Sequence, residues 1–481
     1  MNDLLLPENL NGFRIHMVGI KGTGMAAFAE LLVSRGAVLT GSDVPEIFYT
    51  DSILSALKIP VYTSFNARNL GSDIQLVIHS SAYKKDENPE LKAAAQRQIP
   101  VLLYTEALGE FSQRSFSCGI AGVHGKTTTT GIAGTLVKNL PLDCSVLAGS
   151  VISSFDNHCT LIGGNKYFIA ETCEYQRHFM SFRPKKILLT SIESDHQDYY
   201  PTYESILSAF MQYIDLLPQF GELIYCADDP GAREAAKMMF SSRPDIIFTG
   251  YGVEATGDYQ LEIKGIRNER LVFALKGFPG DFRMRIPGRH NARNAAGAIA
   301  LAVSLLREEG ITPDFPLIGK IREALESFTG SRRRTEIRGE AAGVLVIDDY
   351  GHHPTAIRTT LEGLKEFYPG RRLVVDFMSH TYTRTSALLE EFASSFSSAD
   401  EVILHKIYAS ARETYSGNVT GRTLFEATKA KHKNAHYFEK VLDARPYLNE
   451  TLKPGDLFVT MGAGDNWHLG DAVLEDRRNR L

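Results

Sequence analysis

The 481-residue chain is poor in cysteine: it has five, which are widely spaced and include no Cys-x-x-Cys pair. This usage argues against a disulfide framework or a structural zinc site and is typical of a reducing compartment. Long apolar runs are also missing. The first one, Leu4–Leu6, is interrupted at once by Pro7 and Glu8, so the N-terminus lacks the pattern of a signal peptide. No stretch approaches the length of a membrane span. We therefore expect a cytoplasmic protein without a membrane segment.

The chain has no large excess of charge of either sign. Its 52 basic and 57 acidic residues give a net charge of −5, and no basic run occurs. Nothing in this balance favours binding to nucleic acid or to a membrane surface. The hydrophobic fraction of 43% is typical of a globular protein, and the length predicts roughly three domains. We expect small-molecule partners and a monomer or weak homodimer.

Apolar, strand-like runs alternate with helical patterns along most of the chain. This alternation predicts α/β domains with parallel sheets, because parallel strands need crossover helices. The predicted strands include Ile15–Ile20, Ala37–Thr40, Leu76–His79, Ser117–Ala121, Val344–Ile347, Leu373–Phe377, Glu401–Leu404 and Leu457–Thr460. Tyr259–Pro287 differs, since its short alternating runs predict an antiparallel patch. We place domain boundaries near residues 114 and 329, which gives domains 1–114, 115–329 and 330–481.

The strongest local signal follows the strand that ends at Ala121. The segment consists of Gly122, Val123, His124, Gly125, Lys126, Thr127 and Thr128. Its glycines let backbone N–H groups approach phosphate oxygens, and a following helix presents its positive end. In such a loop the lysine reaches the β- and γ-phosphates and the first threonine hydroxyl binds Mg²⁺. The segment therefore predicts a shortened ATP-type phosphate loop in the middle of the chain.

Two later predicted strands end in acidic residues suited to the same site. Tyr167–Ala170 runs into Glu171 and Glu174, and Ile187–Ile192 runs into Glu193, Asp195 and His196. Ligands of parallel sheets gather beyond the carboxyl ends of the strands. We therefore expect Glu171 to hold Mg²⁺ beside Thr127, and His196 to serve a second metal ion.

A second glycine loop follows the first predicted strand. Gly22, Thr23 and Gly24, with Asp43 about 20 residues further on, match the dinucleotide fingerprint. The motif is weakly specific, since it suits a nicotinamide cofactor, another diphosphate, or merely close packing of helix and strand. Because a separate ATP-type loop lies downstream, we favour the diphosphate of a nucleotide sugar.

Polar clusters also open an alanine-rich helix and follow two strands of the last third. His290, Asn291 and Asn294 stand at the start of the helix and suit recognition of an adenine edge. The segments Asp348–Pro354 and His380–Thr385 lie after predicted strands, where ligands are favoured. Neighbouring histidines in a loop rarely face one metal ion together. We therefore assign His352 to the substrate and His353 to the structure.

Taken together, these segments resemble the Mur ligases of bacterial cell-wall synthesis over essentially the whole chain. The resemblance is carried by Gly122–Thr130, Glu171–Glu174, Glu193–His196, Gly288–Asn294, Arg333–Glu336, Asp349–Pro354, Thr383–Thr385 and Met461–Gly464. It implies a Rossmann-like N-terminal domain for a UDP-sugar, a central P-loop ATPase-like domain, and a C-terminal Rossmann-like domain for the incoming amino acid.

The resemblance also implies roles for individual residues. Lys126, Glu171, His196 and Arg334 would be catalytic, with Mg²⁺ on Thr127, Glu171 and His196. ATP would contact the residues of the phosphate loop together with His290, Asn291, Asn294, Arg334 and Asp349. The UDP-sugar would lie against Gly22, Thr23, Gly24, Asp43 and Ser80. The amino acid would be surrounded by Tyr350, His352 and Arg384, with the guanidinium pairing with its carboxylate.

Within the family, the chain is most similar to the branch that joins L-alanine to UDP-N-acetylmuramate through an acyl phosphate. That branch typically has Pro-His-Arg-Tyr-Thr-Arg where this chain has Ser379–Arg384, so Thr381 removes one expected carboxylate partner. Arg332–Glu340 and His352–Ile357 instead resemble the ligase that attaches a recycled tripeptide to the same sugar. That ligase is the first alternative; a nicotinamide oxidoreductase and a nucleotide-dependent regulatory module are the others.

Overall fold

The computed structural model describes residues 4–409, 417 and 419–479. They form two compact units. One runs through Glu262 and also includes Leu275–Gly280 and Arg293–Leu325; the other comprises Ile263–Ala274, Asp281–Ala292 and the chain from Glu326 onward. Within these described ranges, no helix combines the length and the apolarity needed to cross a membrane.

The first sheet of the larger unit is fully parallel. Its strands are β1 (Arg14–Val18), β2 (Val38–Ser42), β3 (Val61–Tyr62), β4 (Leu76–His79) and β5 (Val101–Leu103), in the order β3-β2-β1-β4-β5. The helices are α1 (Thr23–Ser34), α2 (Thr50–Ala56), α3 (Pro89–Gln96) and α4 (Tyr104–Ser112), with a 3₁₀ turn at Ala67–Asn69. The order reverses beside β1, so the loop after β1 opens at the position where such sheets bind ligands.

The second sheet of this unit has the order β12-β11-β10-β6-β9-β7-β8. Its strands are β6 (Phe116–Ala121), β7 (Cys144–Ile152), β8 (His158–Leu161), β9 (Tyr167–Glu171), β10 (Lys186–Leu189), β11 (Glu222–Cys226) and β12 (Ile247–Tyr251). All neighbouring pairs are parallel except β7 and β8. The helices between them are α5 (Lys126–Lys138), α6 (Tyr203–Ile214) and α7 (Pro230–Ser242), with 3₁₀ segments at Ser153–Phe155 and Tyr175–Ser181. Strand β6 is therefore central, with β9 on one side and β10 on the other.

A small sheet and two helices follow along the chain. The strands are β13 (Leu261–Ile266), β14 (Leu271–Leu275) and β15 (Phe282–Met284), and the helices are α8 (Arg289–Glu308) and α9 (Phe315–Ser327). Strands β14 and β15 pair antiparallel. This pairing confirms the antiparallel patch predicted for Tyr259–Pro287.

The last sheet has the order β16-β17-β21-β18-β19-β20. Its strands are β16 (Glu336–Ala341), β17 (Val344–Asp349), β18 (Leu373–Met378), β19 (Glu401–Leu404), β20 (Ala435–Tyr437) and β21 (Leu457–Gly462). Only β16 pairs antiparallel with its neighbour. The helices are α10 (Pro354–Phe367), α11 (Tyr382–Ala387), α12 (Leu389–Ser394), α13 (Gly421–Lys431), α14 (Arg445–Thr451) and α15 (Trp467–Arg478), with a 3₁₀ turn at Val441–Ala444.

The predicted α/β class and the predicted strands are confirmed, with small shifts at strand ends. Strands β4 and β19 have the predicted bounds. The first strand was predicted to reach Ile20 but ends at Val18. The reason is Gly19, whose φ of +81° belongs to the left-handed region and stops the extended chain. The strand predicted to reach Ile192 likewise ends at Leu189.

Candidate active site

The phosphate loop lies between the central strand β6 and helix α5, as predicted. Gly122 and Gly125 have φ values of +138° and +83°, which favour glycine at both positions. A side chain on Gly122 would place its Cβ 2.0 Å from the Thr190 hydroxyl oxygen. The N–H of His124 donates to the Ser191 hydroxyl over 2.9 Å. No side chain caps helix α5 at Gly125, which suits anion binding at the N-terminal end of the helix.

Lys126 forms an ion pair with Glu174 at the start of this helix. The Lys126 ammonium lies 2.8 Å from Oε2 and 3.1 Å from Oε1 of Glu174 and also donates to the Gly122 carbonyl. The side chains are 13% and 3% exposed. Burial opposes both charges, but the attraction between them outweighs it, so the pKa of Lys126 is raised and that of Glu174 is lowered. The sequence placed Glu174 at the site but gave it no role, since a strand-end position does not identify its partner.

Thr127 and Glu171 lie together, which fits the predicted pairing. The Thr127 hydroxyl donates to Glu171 Oε1 over 3.0 Å, and the Gly149 N–H donates to Oε2 over 2.8 Å. They meet because β6, which leads into the phosphate loop, and β9, which ends at Glu171, are neighbours in the sheet. Thr127 and Glu171 thus present hydroxyl and carboxylate oxygens side by side.

His196 lies on the loop after β10, on the other side of β6. Its Nε2 is 3.4 Å from Glu174 Oε1, so Glu174 lies between Lys126 and His196. The Oε2 of Glu193, on the same loop, accepts from the Nε2 of the His124 ring at 2.9 Å. The candidate site therefore contains two pairs, Thr127 with Glu171 and Glu174 with His196, beside the phosphate loop.

These donors fit a magnesium ion bound with a nucleotide. Mg²⁺ prefers oxygen ligands and is usually held by one or two carboxylates together with substrate phosphates and water. The Thr127 hydroxyl and the carboxylates of Glu171 and Glu174 supply such oxygens. The imidazole of His196 adds a nitrogen donor next to Glu174.

The glycine loop after β1 differs from the phosphate loop in one respect. Gly22, at the N-cap of α1, has φ −58° and ψ 141°, a conformation open to any residue. A Cβ there would have its nearest neighbour, the Gly19 carbonyl oxygen, at 3.5 Å. Gly24, by contrast, leaves room for Tyr104, whose hydroxyl would lie 2.9 Å from an added Cβ. In the free protein an added Cβ would thus crowd the Tyr104 side chain at position 24 but would make only an ordinary contact at position 22.

Asp43, Thr23 and Ser80 surround the same loop. Asp43 is buried and accepts hydrogen bonds from the N–H groups of Lys21 and Val44 and from the Tyr83 hydroxyl, at 2.7, 2.8 and 3.1 Å. Burial and then the charge of Asp43 raise the pKa of Tyr83. Asp43 therefore shapes the loop, whatever it contacts in a ligand.

Thr23 and Ser80 also have partners within the protein. The Thr23 hydroxyl oxygen accepts from the Tyr49 hydroxyl at 2.7 Å, and the Ser80 N–H donates to the Val18 carbonyl at 3.0 Å. Ser80 directly follows β4, the neighbour of β1. Both residues thus lie at the carboxyl edge of the first sheet, and their contact with the UDP-sugar stays a prediction.

The polar residues at the start of α8 have separate local contacts. Asn294 lies against the phosphate loop, because its Oδ1 would be 2.7 Å from a Cβ on Gly125. Asn291 donates through its side chain to the Pro287 carbonyl at 2.6 Å. The His290 ring packs at Gly288, where an added Cβ would meet it at 2.4 Å. Of the three predicted adenine ligands, Asn294 is thus placed beside the phosphate loop.

A second group of predicted residues surrounds the loop after β17. Asp349 accepts from the N–H groups of Gly351 and Thr335, each at 2.7 Å. The Arg334 guanidinium carbon lies 5.3 Å from the centre of the Tyr350 ring. Arg333, which sequence reasoning did not select, donates to Asp348 at 2.8 Å and to the Gly462 carbonyl at 2.7 Å. The sequence feature that could have identified Arg333 is its place in the Arg333–Glu336 motif.

Tyr350, His352 and Arg384 lie close together. The His352 Nδ1 is 2.8 Å from the Tyr350 carbonyl oxygen, and the two rings are 5.1 Å apart. Burial, followed by the charge of Arg384, lowers the pKa of His352 well below its ordinary value of 6.5. His352 is therefore neutral at neutral pH and faces the cation that was predicted to bind the substrate carboxylate.

The Thr381 position, where the sequence departs from the expected arginine, is the N-cap of α11. Its φ is +68°, unusual for a β-branched residue. Its N–H donates to the Tyr408 carbonyl at 3.0 Å, and its own carbonyl accepts from the Thr385 hydroxyl at 2.7 Å. His353, predicted to be structural, is buried at the N-cap of α10.

Models of known families match the chain in three consecutive parts. The Mur ligase family catalytic domain matches residues 14–116, the Mur ligase middle domain matches 120–302, and the Mur ligase glutamate ligase domain matches 333–464. The chain belongs to the Mur ligase family. This result confirms the resemblance and the three-domain α/β fold predicted from the sequence.

Individual relatives agree with this assignment. A UDP-N-acetylmuramate–L-alanine ligase of Treponema pallidum (strain Nichols) is 56% identical over 469 residues, covering 98% of each chain. The crystal structure of a UDP-N-acetylmuramate–alanine ligase of Thermotoga maritima matches with a TM-score of 0.78 and 26% identity, covering 97% of this chain and 100% of that one. A murein peptide ligase of Psychrobacter arcticus matches with a TM-score of 0.66 and 22% identity, covering 97% and 99%; that likeness concerns the fold alone.

Proposed function

We propose that the protein is an ATP-dependent ligase that joins L-alanine to the lactyl carboxylate of UDP-N-acetylmuramate in peptidoglycan precursor synthesis. The observation that carries this proposal is the 56% identity, over 98% of both chains, with a ligase of that name. The site geometry supports it, because a phosphate loop, a buried Lys126–Glu174 pair and a Thr127–Glu171 pair lie at one sheet edge. These are the groups needed for phosphoryl transfer from ATP with Mg²⁺.

We assign the three substrates to three parts of the chain. Residues 1–114 would bind the UDP-sugar at the glycine loop after β1. Residues 115–329 would bind ATP at the phosphate loop, and residues 330–481 would bind the amino acid near Tyr350, His352 and Arg384. The roles of Arg334 and Asp349 toward the nucleotide phosphate and ribose stay predictions, as do those of His290, Asn291 and Asn294.

In the first half-reaction, a lactyl carboxylate oxygen attacks the γ-phosphorus of ATP, the bond to the β-phosphate oxygen breaks, and an acyl phosphate and ADP form. Carboxylate and triphosphate repel each other, so cationic groups must offset their charge. Mg²⁺ held by Thr127, Glu171 and His196 would neutralise phosphate charge. Lys126 would leave Glu174 and donate to the transferred phosphoryl group, where its charge stabilises the transition state.

In the second half-reaction, the uncharged amine of alanine attacks the acyl carbon and inorganic phosphate leaves. Arg384 would pair with the alanine carboxylate through charge-assisted hydrogen bonds. Because His352 is neutral, it would not repel the ammonium group with which alanine arrives. The amine must lose one proton before attack and a second one after it, so that the product is a neutral amide.

Phosphate release tests this function against its alternatives. We expect release from ATP only when UDP-N-acetylmuramate and an amino acid are both present, with L-alanine preferred over glycine, L-serine and the tripeptide. Ligation of the tripeptide alone would establish the recycling ligase instead. Oxidation of NADH without phosphate release would establish the oxidoreductase, for which the fingerprint around Gly22 is the sole support.

A further inference from the structure

Two loops meet above the phosphate loop, one after β9 and one after β10. The first contains Glu174 and Tyr175, and the second contains His196 and Asp198. Strand β6 lies between β9 and β10 in the sheet, so the two loops contact each other across the end of β6. The contacts between them determine where His196 is held.

The backbone of His196 is fixed within its own loop. Its φ of +54° is left-handed, and its carbonyl accepts from the N–H groups of Tyr199 and Tyr200 at 2.8 and 2.7 Å. The N–H of His196 donates to Asp195 Oδ1 at 2.7 Å. These bonds place the Cα of His196 but leave the direction of its imidazole to side-chain contacts.

Tyr175 provides such a contact from the other loop. Its ring centre lies 4.7 Å from that of His196, with an angle of 47° between the planes. The Tyr175 hydroxyl donates to Asp198 Oδ2 at 2.8 Å. Tyr175 therefore contacts the imidazole of His196 and also Asp198, two residues further along the same loop, and its ring lies 6.2 Å from that of Tyr199.

A further neighbour of the imidazole, Glu174, is shared with Lys126. Its Oε1 is 3.4 Å from His196 Nε2, whereas its Oε2 is 2.8 Å from the Lys126 ammonium. When Lys126 turns to a nucleotide phosphate, the surroundings of Glu174 change. The ring contact with Tyr175 involves neither Lys126 nor phosphate, so it does not depend on that change.

We propose that Tyr175 is a positioning residue that orients His196 toward the metal bound with the nucleotide, an inference that rests on the proposed ATP-dependent function. Partners that orient a metal ligand typically change metal affinity by about 10- to 100-fold when removed. Tyr175 acts through its ring on the imidazole and through its hydroxyl on Asp198. Its loss should weaken metal binding without weakening metal-free nucleotide binding.

The test measures Mn²⁺ binding in the presence of ADP by the electron paramagnetic resonance signal of free Mn²⁺. We expect roughly tenfold weaker binding for Tyr175→Leu, which lacks ring and hydroxyl, and a smaller loss for Tyr175→Phe. Tyr203→Phe is the matched control, because the Tyr203 hydroxyl also donates to a carboxylate, that of Glu234, at 2.9 Å. That variant should bind Mn²⁺ as the unmodified protein does. ADP affinity in EDTA should be equal in all four proteins.

A double variant separates positioning from general structural damage. In the His196→Ala background, Tyr175→Leu should cause no further loss of Mn²⁺ affinity, because the residue through which it acts is absent. A further loss of Mn²⁺ affinity in the double variant would overturn the inference. Unchanged Mn²⁺ affinity in both Tyr175→Leu and Tyr175→Phe would also overturn it. If Tyr175→Leu melts at a much lower temperature, the same Mn²⁺ comparison is made with Tyr175→Phe, in the unmodified protein and in His196→Ala. The proposed function has a separate test, because the Mn²⁺ comparison does not measure ligation. It fails if the unmodified protein releases no phosphate with any amino acid.

Discussion

Lys126 and Glu174 form a nearly buried ion pair in which the lysine of the phosphate loop is held by a carboxylate from the loop after β9. The ammonium lies 2.8 Å from Oε2, and the carboxylate also approaches His196. The lysine predicted to bind phosphate thus has a protein partner that occupies it before nucleotide arrives. The first two predictions concern this pair.

Lys126→Met should abolish most of the ligase activity. Removing a charge aimed at the transferred phosphoryl group should lower kcat by about 100-fold or more. The variant should also be less stable, because Glu174 would be left buried without its cation. We expect this loss even though Lys126 is the first residue of its helix, next to a loop, where a substitution by itself changes stability little. Breaking a buried pair in this way costs roughly 3–5 kcal/mol. Lys138→Met, in the last turn of the same helix and partly exposed, is the control. Full turnover by a folded Lys126→Met variant would contradict the assignment.

The same pair should make stability depend on pH. The pKa of folded Glu174 lies below its ordinary value of 4.5, so its stabilising contribution is complete above that value and is lost as pH falls through the lower, folded pKa. The Lys126→Met/Glu174→Gln double variant lacks this contribution. Urea unfolding from pH 7 down to pH 3 should therefore show a steeper loss for the unmodified protein below the ordinary pKa of glutamate. Parallel curves for the two proteins would show that the pair is not linked to folding.

Gly22→Ala should weaken UDP-N-acetylmuramate binding while leaving the fold and ATP binding intact. The free protein accommodates a Cβ at position 22, so any loss must arise from contact with the ligand diphosphate. A clash of about 1.4 kcal/mol would weaken binding roughly tenfold in calorimetry. Gly24→Ala is the informative comparison: its Cβ would meet the Tyr104 hydroxyl at 2.9 Å, so this variant should lose stability even without ligand. Equal loss of UDP-sugar and ATP binding in Gly22→Ala would argue against separate sites.

Arg384→Ala should raise the KM for L-alanine by roughly 10- to 150-fold, because a hydrogen bond to a charged group contributes about 1.5–3 kcal/mol. Thr381→Arg should lower this KM modestly and change little for the tripeptide. The φ of +68° at position 381 is less strained for arginine than for β-branched threonine, so the substitution should not harm the fold. Arg422→Ala, whose guanidinium lies over Tyr437, controls for the loss of an arginine elsewhere in the same unit. An unchanged alanine KM in Arg384→Ala would remove the proposed carboxylate partner.

The pKa of His352 should rise when Arg384 is removed. In the unmodified protein it lies well below 6.5 because of burial and the charge of Arg384. Without that charge the pKa should move upward, while the remaining burial keeps it below 6.5. Nuclear magnetic resonance titration of the imidazole in the unmodified protein, Arg384→Ala and Arg422→Ala would follow this shift. Identical titration in all three would show that Arg384 does not act on His352.

The sequence predicted the sheets and the loops more completely than the contacts within the site. Strand β4 and the glycine positions of the phosphate loop follow from local patterns, namely buried apolar runs and left-handed turns. The Thr127–Glu171 contact was foreseeable because the phosphate loop follows one strand, β6, and Glu171 ends another, β9. The role of Glu174 was not foreseeable. Its partners, Lys126 and His196, come from α5 and from the loop after β10, and no local sequence pattern shows that β6 lies between β9 and β10 in the sheet. Asp43 shows the same limit, because one of its hydrogen bonds comes from Tyr83, 40 residues away.

The balance of charge between Lys126 and Glu174 also makes the resting site selective toward what it admits. A lone anion such as phosphate that draws Lys126 away leaves Glu174 buried without a counter-charge, so weak anions gain little by entering. A nucleotide that arrives with its divalent cation brings positive charge to the side of the site that Lys126 leaves. The pair thereby favours the nucleotide as its metal complex, since metal-free nucleotide that draws Lys126 away leaves Glu174 without its cation.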